Sequence, residues 1–194
     1  WGKRDLKAVR LIYSIIFMAA FTISFLMAAV VLIFPEWVMG LYSNNSDIIA
    51  AGAQYLRILG WAYVFFGVEN TMLCSIRSVE LVKISVVVNM TSFCMNVFLN
   101  WVLIFGNLGA PALGIQGAAI ATLVARLSEF VITFVYLFFI DKRLRFRPKD
   151  FLLFDATMAK DLFKHGLPVL LNEMFWSLGI TMQAAILGHI SYSA

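Results

Sequence analysis

Residues 84–125 read ISVVVNMTSFCMNVFLNWVLIFGNLGAPALGIQGAAIATLVA, a run without one charged side chain. A helix needs about 20 mostly apolar residues to cross the ~30 Å hydrocarbon core of a bilayer, so this run is too long for a single span. It is broken by Gly106-Asn107-Leu108-Gly109-Ala110-Pro111, a cluster of turn formers. The run predicts a transmembrane hairpin, with spans over roughly 84–105 and 112–140. The composition of all 194 residues agrees: 62% are hydrophobic and only 13% charged, against about 45–50% apolar and about 25% charged in soluble domains. A soluble globule is excluded, and so is disorder, because an apolar chain of net charge +4 is not its signature. The two cysteines, Cys74 and Cys94, both lie in apolar runs and make no disulfide framework. The fold class is all-α, a polytopic transmembrane helix bundle.

Outward from the hairpin, Leu11 to Phe34 is uncharged and ends at Pro35, which marks a first span. Another runs from about Gly166 to Ile190, interrupted by Glu173. The segment 48–76 carries Arg57 and Glu69, and the loop charges decide whether it counts. Lys and Arg gather in cytoplasmic loops. With 48–76 included there are five spans, and all but two of the 15 basic residues fall on one side, in 1–10, 77–83 and 141–165. The opposite loops, 35–47 and 106–111, hold none. Without that segment, basic loops would lie on both sides. The expected topology is therefore five spans in the cell membrane, plasma or inner, with 1–10, 77–83 and 141–165 cytoplasmic. The chain starts at Trp1 without a signal peptide and stops at Ala194 just after an apolar run, as expected of a segment from a larger transporter-sized chain.

The connection 142–165 differs from its neighbours. Lys142-Arg143-Leu144-Arg145-Phe146-Arg147-Pro148-Lys149 interleaves basic and apolar residues, which suits either an anionic lipid surface or a solvated linker. Nucleic acid is disfavoured as a partner, because these charges adjoin two membrane spans. Asp155 is placed to cap a short interfacial helix carrying Met158, Leu162 and Phe163.

Polar side chains at membrane depth are expensive and mark functional sites. In the third span Ser85, Asn89, Ser92, Asn96 and Asn100 follow one another by three or four residues and share one helical face. Three amides on one stripe face neighbouring helices or a polar cavity. Hydrogen-bonded glue between helices needs fewer, so a cavity or ion site is the expectation. The fourth span opposes the stripe with Gly114, Gly117, Ala118, Ala121, Thr122 and Ala125, small residues that permit close approach. Amide carbonyls and a threonine hydroxyl are hard oxygen ligands, suited to small cations. Arg126 and Glu129, three apart, suit a structural ion pair. Arg57 and Glu69 are expected near the membrane interfaces and receive no role. Glu173 has no basic neighbour in sequence and lies on one face with Ser177 and Thr181, which makes it a candidate proton-handling carboxylate if buried. Phe17, Met18, Phe21 and Phe25 could line a pocket for apolar cations, or simply face lipid.

No phosphate-binding loop, His-Glu-x-x-His or Gly-x-Ser-x-Gly motif occurs, so neither an ATP-driven pump nor an enzyme is indicated, and no cofactor is implied.

Several stretches resemble the multidrug and toxic compound extrusion (MATE) family. These are Asn96-Val-Phe-Leu-Asn100-Trp101, Phe105-Gly106, and Gly109-Ala-Pro-Ala-Leu-Gly114-Ile-Gln-Gly117-Ala-Ala-Ile-Ala-Thr122. Trp1-Gly2-Lys3-Arg4-Asp5 is similar to the loop between that family's second and third helices, and Gly166-Leu-Pro168 to the opening of its seventh. The resemblance implies that the chain holds the third to seventh of twelve helices, arranged in two lobes that alternate access to a central cavity. Residues 1–141 would form most of the N-lobe, 142–165 the cytoplasmic inter-lobe connection, and 166–194 the first helix of the C-lobe. It further implies a sodium- or proton-coupled antiporter of organic, cationic or amphipathic compounds, with the rest of the same chain and membrane lipids as partners. Asn96, Asn100 and Thr122 match three of the family's N-lobe cation-site positions. The functional glutamate of the family's seventh helix falls about a turn beyond Glu173, near Trp176. Two other readings stand beside this one: a flippase for lipid-linked precursors, and a non-transporting membrane assembly subunit.

Overall fold

The computed structural model describes residues 6–141, 146, 149–150 and 153–190, the side chains of residue 6 and of 188–190 excepted. The Trp1-Gly2-Lys3-Arg4-Asp5 start and the basic positions Lys142, Arg143, Arg145 and Arg147 lie outside the described residues.

Every regular element among the described residues is helical. α1 (Leu6–Ile33) stops at Phe34, whose φ of −123° and ψ of 50° lie outside the helical region that the following proline disfavours. Pro35 then opens the short α2 (Pro35–Gly40), where its missing N–H costs nothing. α3 (Ser46–Ser78) is capped by Asn45, whose side-chain oxygen accepts from Asp47 N at 2.7 Å. α4 (Val82–Phe105) ends on Gly106 at φ +72°. A Cβ there would stand 3.0 Å from Ala110 O and Ala112 N, so both the conformation and the crowding require glycine. After one 3-10 turn (107–109) the chain re-enters as α5 (Ile115–Val135). A π-turn over 136–140 extends it, closed by Asp141 N donating to Tyr136 O at 2.8 Å. α6 (Ala156–Ile190) follows the connection.

Helix order across the bundle is α1, α3, α5, α4. Gly60 of α3 lies against Leu32 of α1 and Gly67 against Ser24, so these two helices run antiparallel. Gln54 bonds Gln116, and the Phe65 and Phe130 rings lie 5.6 Å apart, so α3 and α5 run parallel. Ser92 donates to Ala125 O, and Gly117 abuts Leu103, so α4 is antiparallel to α5. This topology brings the start of α1, the α3–α4 turn and the end of α5 to one end of the bundle, the arrangement the loop charges required. The hydrophobic core sits at that end: Val68, Met72, Ile76, Val79, Leu137 and Phe146 are buried together, with Val9, Tyr13 and Phe17 packed against them. Elsewhere large apolar side chains face outward, among them Ile23, Phe25, Phe93 and Phe98, as lipid- or helix-facing surfaces do.

Two expectations change. Among the described residues four helices are long and apolar enough to span a membrane: Lys7–Ile33, Ser46–Ser78, Val82–Phe105 and Ile115–Ile140. The segment with Arg57 and Glu69 is thus long and apolar enough to span, as expected, while the expected fifth is less apolar than these four. Its helix exists, yet Asn172, Glu173, Ser177, Thr181 and Gln183 dilute the apolar run. The second change is continuity, because the interfacial helix and the fifth span are one helix, α6. Asp155 Oδ1 does cap it, accepting from Thr157 N at 2.8 Å and Met158 N at 3.1 Å. Residues 156–165 then offer no glycine or proline to stop it, and Pro168 costs one backbone hydrogen bond without ending it.

The connection is also partly docked. Phe146 is buried edge-on to Tyr13, Arg10 pairs with Asp150 at 3.7 Å, and Ser14 donates to Leu153 O.

Candidate polar site between α4 and α5

α4 and α5 approach closely because α5 presents small residues. Gly117, Ala121 and Ala125 are buried, and a Cβ on Gly117 would come within 2.5 Å of Leu103 O. Gly114, expected on that face, instead lies just before α5, at φ +54°. Facing these small residues is the polar stripe of α4. Ser85 and Ser92 are buried, Asn96 and Asn100 half-buried, and Asn89 exposed.

Between the two helices lies a cavity of about 390 Å³, lined by Asn89, Ser92, Phe93 and Asn96 of α4 and by Thr122, Ala125, Arg126 and Glu129 of α5. The side chains along it form a chain of hydrogen bonds. Asn100 Nδ2 donates to Asn96 Oδ1 at 3.0 Å, and Asn96 Nδ2 points at Thr122 Oγ1 at 3.4 Å. Thr122 spends its own proton on Ala118 O at 2.9 Å, which leaves its oxygen lone pairs turned toward Asn96. Asn100 Oδ1 is buried and accepts no hydrogen bond. Ser85 and Asn100 belong to the stripe but stand beyond the cavity's lining.

The lower wall of the cavity is charged. Arg126 Nη1 and Glu129 Oε2 are 2.6 Å apart, the expected i,i+3 pair, and the guanidinium lies 5.0 Å above the Phe66 ring. Arg57 is exposed and pairs with exposed Glu36 at 3.4 Å. Glu173 is exposed on α6, where every side chain from Leu167 to Ala184 is exposed, so the structure does not bring it to the cavity. Phe17, Met18 and Phe21 line an apolar groove of about 490 Å³ between α1 and α3, with Phe65, Val68 and Phe130. Phe25 stacks on Phe21 outside it.

Sequence reasoning missed Glu69. It was expected near an interface, yet it is buried, with 3% of its surface exposed, in the contact of α3 with α5. The spacing Glu69, Met72, Ile76 holds the signal, since it puts the carboxylate on the buried face of α3.

The MatE family model matches residues 1–102. Over 189 residues the chain is 28% identical to the probable multidrug resistance protein NorM of Thermotoga maritima, covering 96% of this chain and 40% of that protein. It is 25% identical over 201 residues to the probable multidrug resistance protein YoeA of Bacillus subtilis, covering 100% of this chain and 42% of the relative. The multidrug resistance protein NorM of Aliivibrio fischeri is 30% identical over 135 residues, 68% of this chain and 28% of its own length. The chain thus spans less than half the length of these relatives, and no solved structure matches it significantly. With the family's pattern matched over more than half of these residues, and relatives of one kind along nearly all of them, the chain belongs to the MatE family.

Proposed function

We propose that this chain supplies the cation-binding part of an antiporter that exports organic, cationic or amphipathic compounds across the cell membrane. In this reading Asn96, Asn100 and Thr122 bind or relay the driving ion, sodium or proton. One observation carries it: Asn96 and Thr122 line a polar cavity inside a membrane hairpin, and Asn100 donates to Asn96 from just beyond that lining with its own Oδ1 buried and without a partner. A buried, unpaired amide oxygen costs free energy that a ligand can return. Asn100 Oδ1 and the lone pairs of Thr122 Oγ1 are oxygens, the donors that suit hard cations. Turning the Asn96 amide would present a second carbonyl oxygen toward Thr122.

Residues 1–141 are then most of an N-lobe, 142–165 its connection to the second lobe, and 166–194 the start of that lobe. The close-packed α4–α5 hairpin would transmit ion binding as a shift of one helix against the other. The names of the relatives, multidrug resistance proteins, support export of drug-like compounds. Reconstituting the full-length protein in liposomes and imposing sodium and proton gradients separately tests the reading. Efflux of a cationic dye driven by either gradient is the expected result. Efflux driven by neither, from correctly folded protein, would favour a flippase or an assembly subunit.

A further inference from the structure

On the far side of Glu129 from the cavity, the structure holds a second polar cluster. Glu69 of α3 is buried, one turn past the Phe65–Phe130 contact of α3 with α5, within electrostatic reach of Glu129 and Arg126 of α5 and of Arg77 further along its own helix. Thr133, one turn past Glu129 on α5, places its hydroxyl beside the Glu69 carboxyl without completing a hydrogen bond to it. The register of Ser92 against Ala125 carries Ser85, two turns back on α4, to the level of Thr133. Three oxygens here are buried without a partner: Glu69 Oε1, Ser85 Oγ and Thr133 Oγ1. On the remaining side, α1 covers this stretch of α3 with Tyr13 and Phe17.

The charges do not balance within this cluster. Arg126 closes on Glu129 at 2.6 Å, so this guanidinium is already engaged. Arg77 is exposed at the end of α3, two turns away from Glu69. Among the described residues a second carboxylate close to the first, inside a membrane bundle, has no counter-ion of its own, and a proton is the smallest group that neutralises it. Glu129 belongs to both places, as it lines the cavity and lies within electrostatic reach of Glu69. From these contacts we infer that Glu69 is a proton-binding site, exchanging its proton with the polar cavity through Glu129 and the Thr133 hydroxyl. The reaction is Glu69 carboxylic acid to carboxylate plus a proton, which passes to water in the cavity. When the proton leaves, two carboxylates face each other and the α3–α5 contact loosens. The site is distinct from Asn96, Asn100 and Thr122, and does not require that they bind an ion.

Infrared difference spectra of the full-length protein between high and low pH test this directly. The expected result is a titrating C=O band of a buried carboxylic acid that disappears in Glu69→Gln, shifts in frequency in Glu69→Asp, and persists in Asn100→Leu. The aspartate variant serves if the glutamine variant does not fold, since it keeps the carboxyl. No titrating band, or one unchanged by both Glu69 substitutions, overturns the inference. A band that responds to sodium but not to pH also overturns it, and makes the cluster a metal-cation site instead. Loss of the band in Asn100→Leu, in protein that folds, would show that the proton is not held at Glu69 independently of the Asn pair, and overturns the inference.

Discussion

Asn100 donates its amide to Asn96 Oδ1 at 3.0 Å across one turn of α4, while its own Oδ1 stays buried with no partner. The pair is therefore held in register but incompletely satisfied, and Thr122 stands at its open side, 3.4 Å from Asn96 Nδ2. Thr122→Val keeps the shape and removes the oxygen. We expect about a tenfold loss in apparent affinity for the driving ion, ~1.4 kcal/mol, with little change in thermal stability. Initial efflux rates measured over a series of ion gradients check this.

Close approach in the hairpin rests on Gly117, because the obstacle to a side chain there is backbone, Leu103 O, and not a flexible group. Gly117→Ala should destabilise the protein by roughly 1–3 kcal/mol, as overpacked sites do. Gly166 is the control, since a Cβ added there would meet nothing within 4 Å. Gly166→Ala should be neutral or mildly stabilising, by up to about 1 kcal/mol from helix propensity. Thermal unfolding of both variants in detergent distinguishes the two outcomes.

The Arg126–Glu129 pair supports the wall of the cavity. Its carboxylate is 5% exposed and its guanidinium 40%, so Arg126→Met should cost less than the 3–5 kcal/mol of a wholly buried pair, about 1–3 kcal/mol. Glu129 is then buried without its cation. The double variant Arg126→Met/Glu129→Leu should be more stable than the single one. Unfolding midpoints of the three proteins test this, and a double variant less stable than Arg126→Met would show that the pair does not behave as a unit.

Besides Arg10 and Arg77 at the basic ends of their helices, the spans contain Arg57 and Arg126, and the structure engages both: Arg57 with Glu36 and Arg126 with Glu129. An exposed pair such as Arg57–Glu36 contributes little to stability and is screened by salt. Arg57→Ala should therefore leave both stability and dye efflux unchanged. Flippase chemistry would instead draw on arginines to hold an anionic headgroup, so a strong effect of Arg57→Ala on lipid translocation would support that alternative.

Much of the α4–α5 site is legible in the amino-acid sequence. The three- and four-residue steps from Ser85 to Asn100 define a face, the small residues from Gly117 to Ala125 define its partner, and Gly106 to Pro111 folds one onto the other. Local spacing suffices because the two helices are neighbours in sequence. Glu69 is not legible in the same way. Its spacing to Met72 and Ile76 shows only that it shares the buried face of α3; the groups it meets there, Glu129 and Thr133 of α5, stand sixty or more residues further along the chain and leave no mark in that spacing. The continuity of α6 escapes the sequence for a different reason. Pro168 and Gly166 read as the start of a new element, but in an extended helix neither is sufficient to stop propagation from the Asp155 cap.

The central claim is that Asn96, Asn100 and Thr122, at and beside the polar cavity between α4 and α5, hold the driving ion. Comparing gradient-driven dye efflux by full-length wild type and Asn100→Leu in proteoliposomes tests it most directly, with detergent stability of the two proteins matched beforehand. The account predicts that wild type exports dye under a sodium or a proton gradient, and that Asn100→Leu loses this efflux at equal protein density. Gradient-driven efflux undiminished in the Asn100→Leu protein would contradict it.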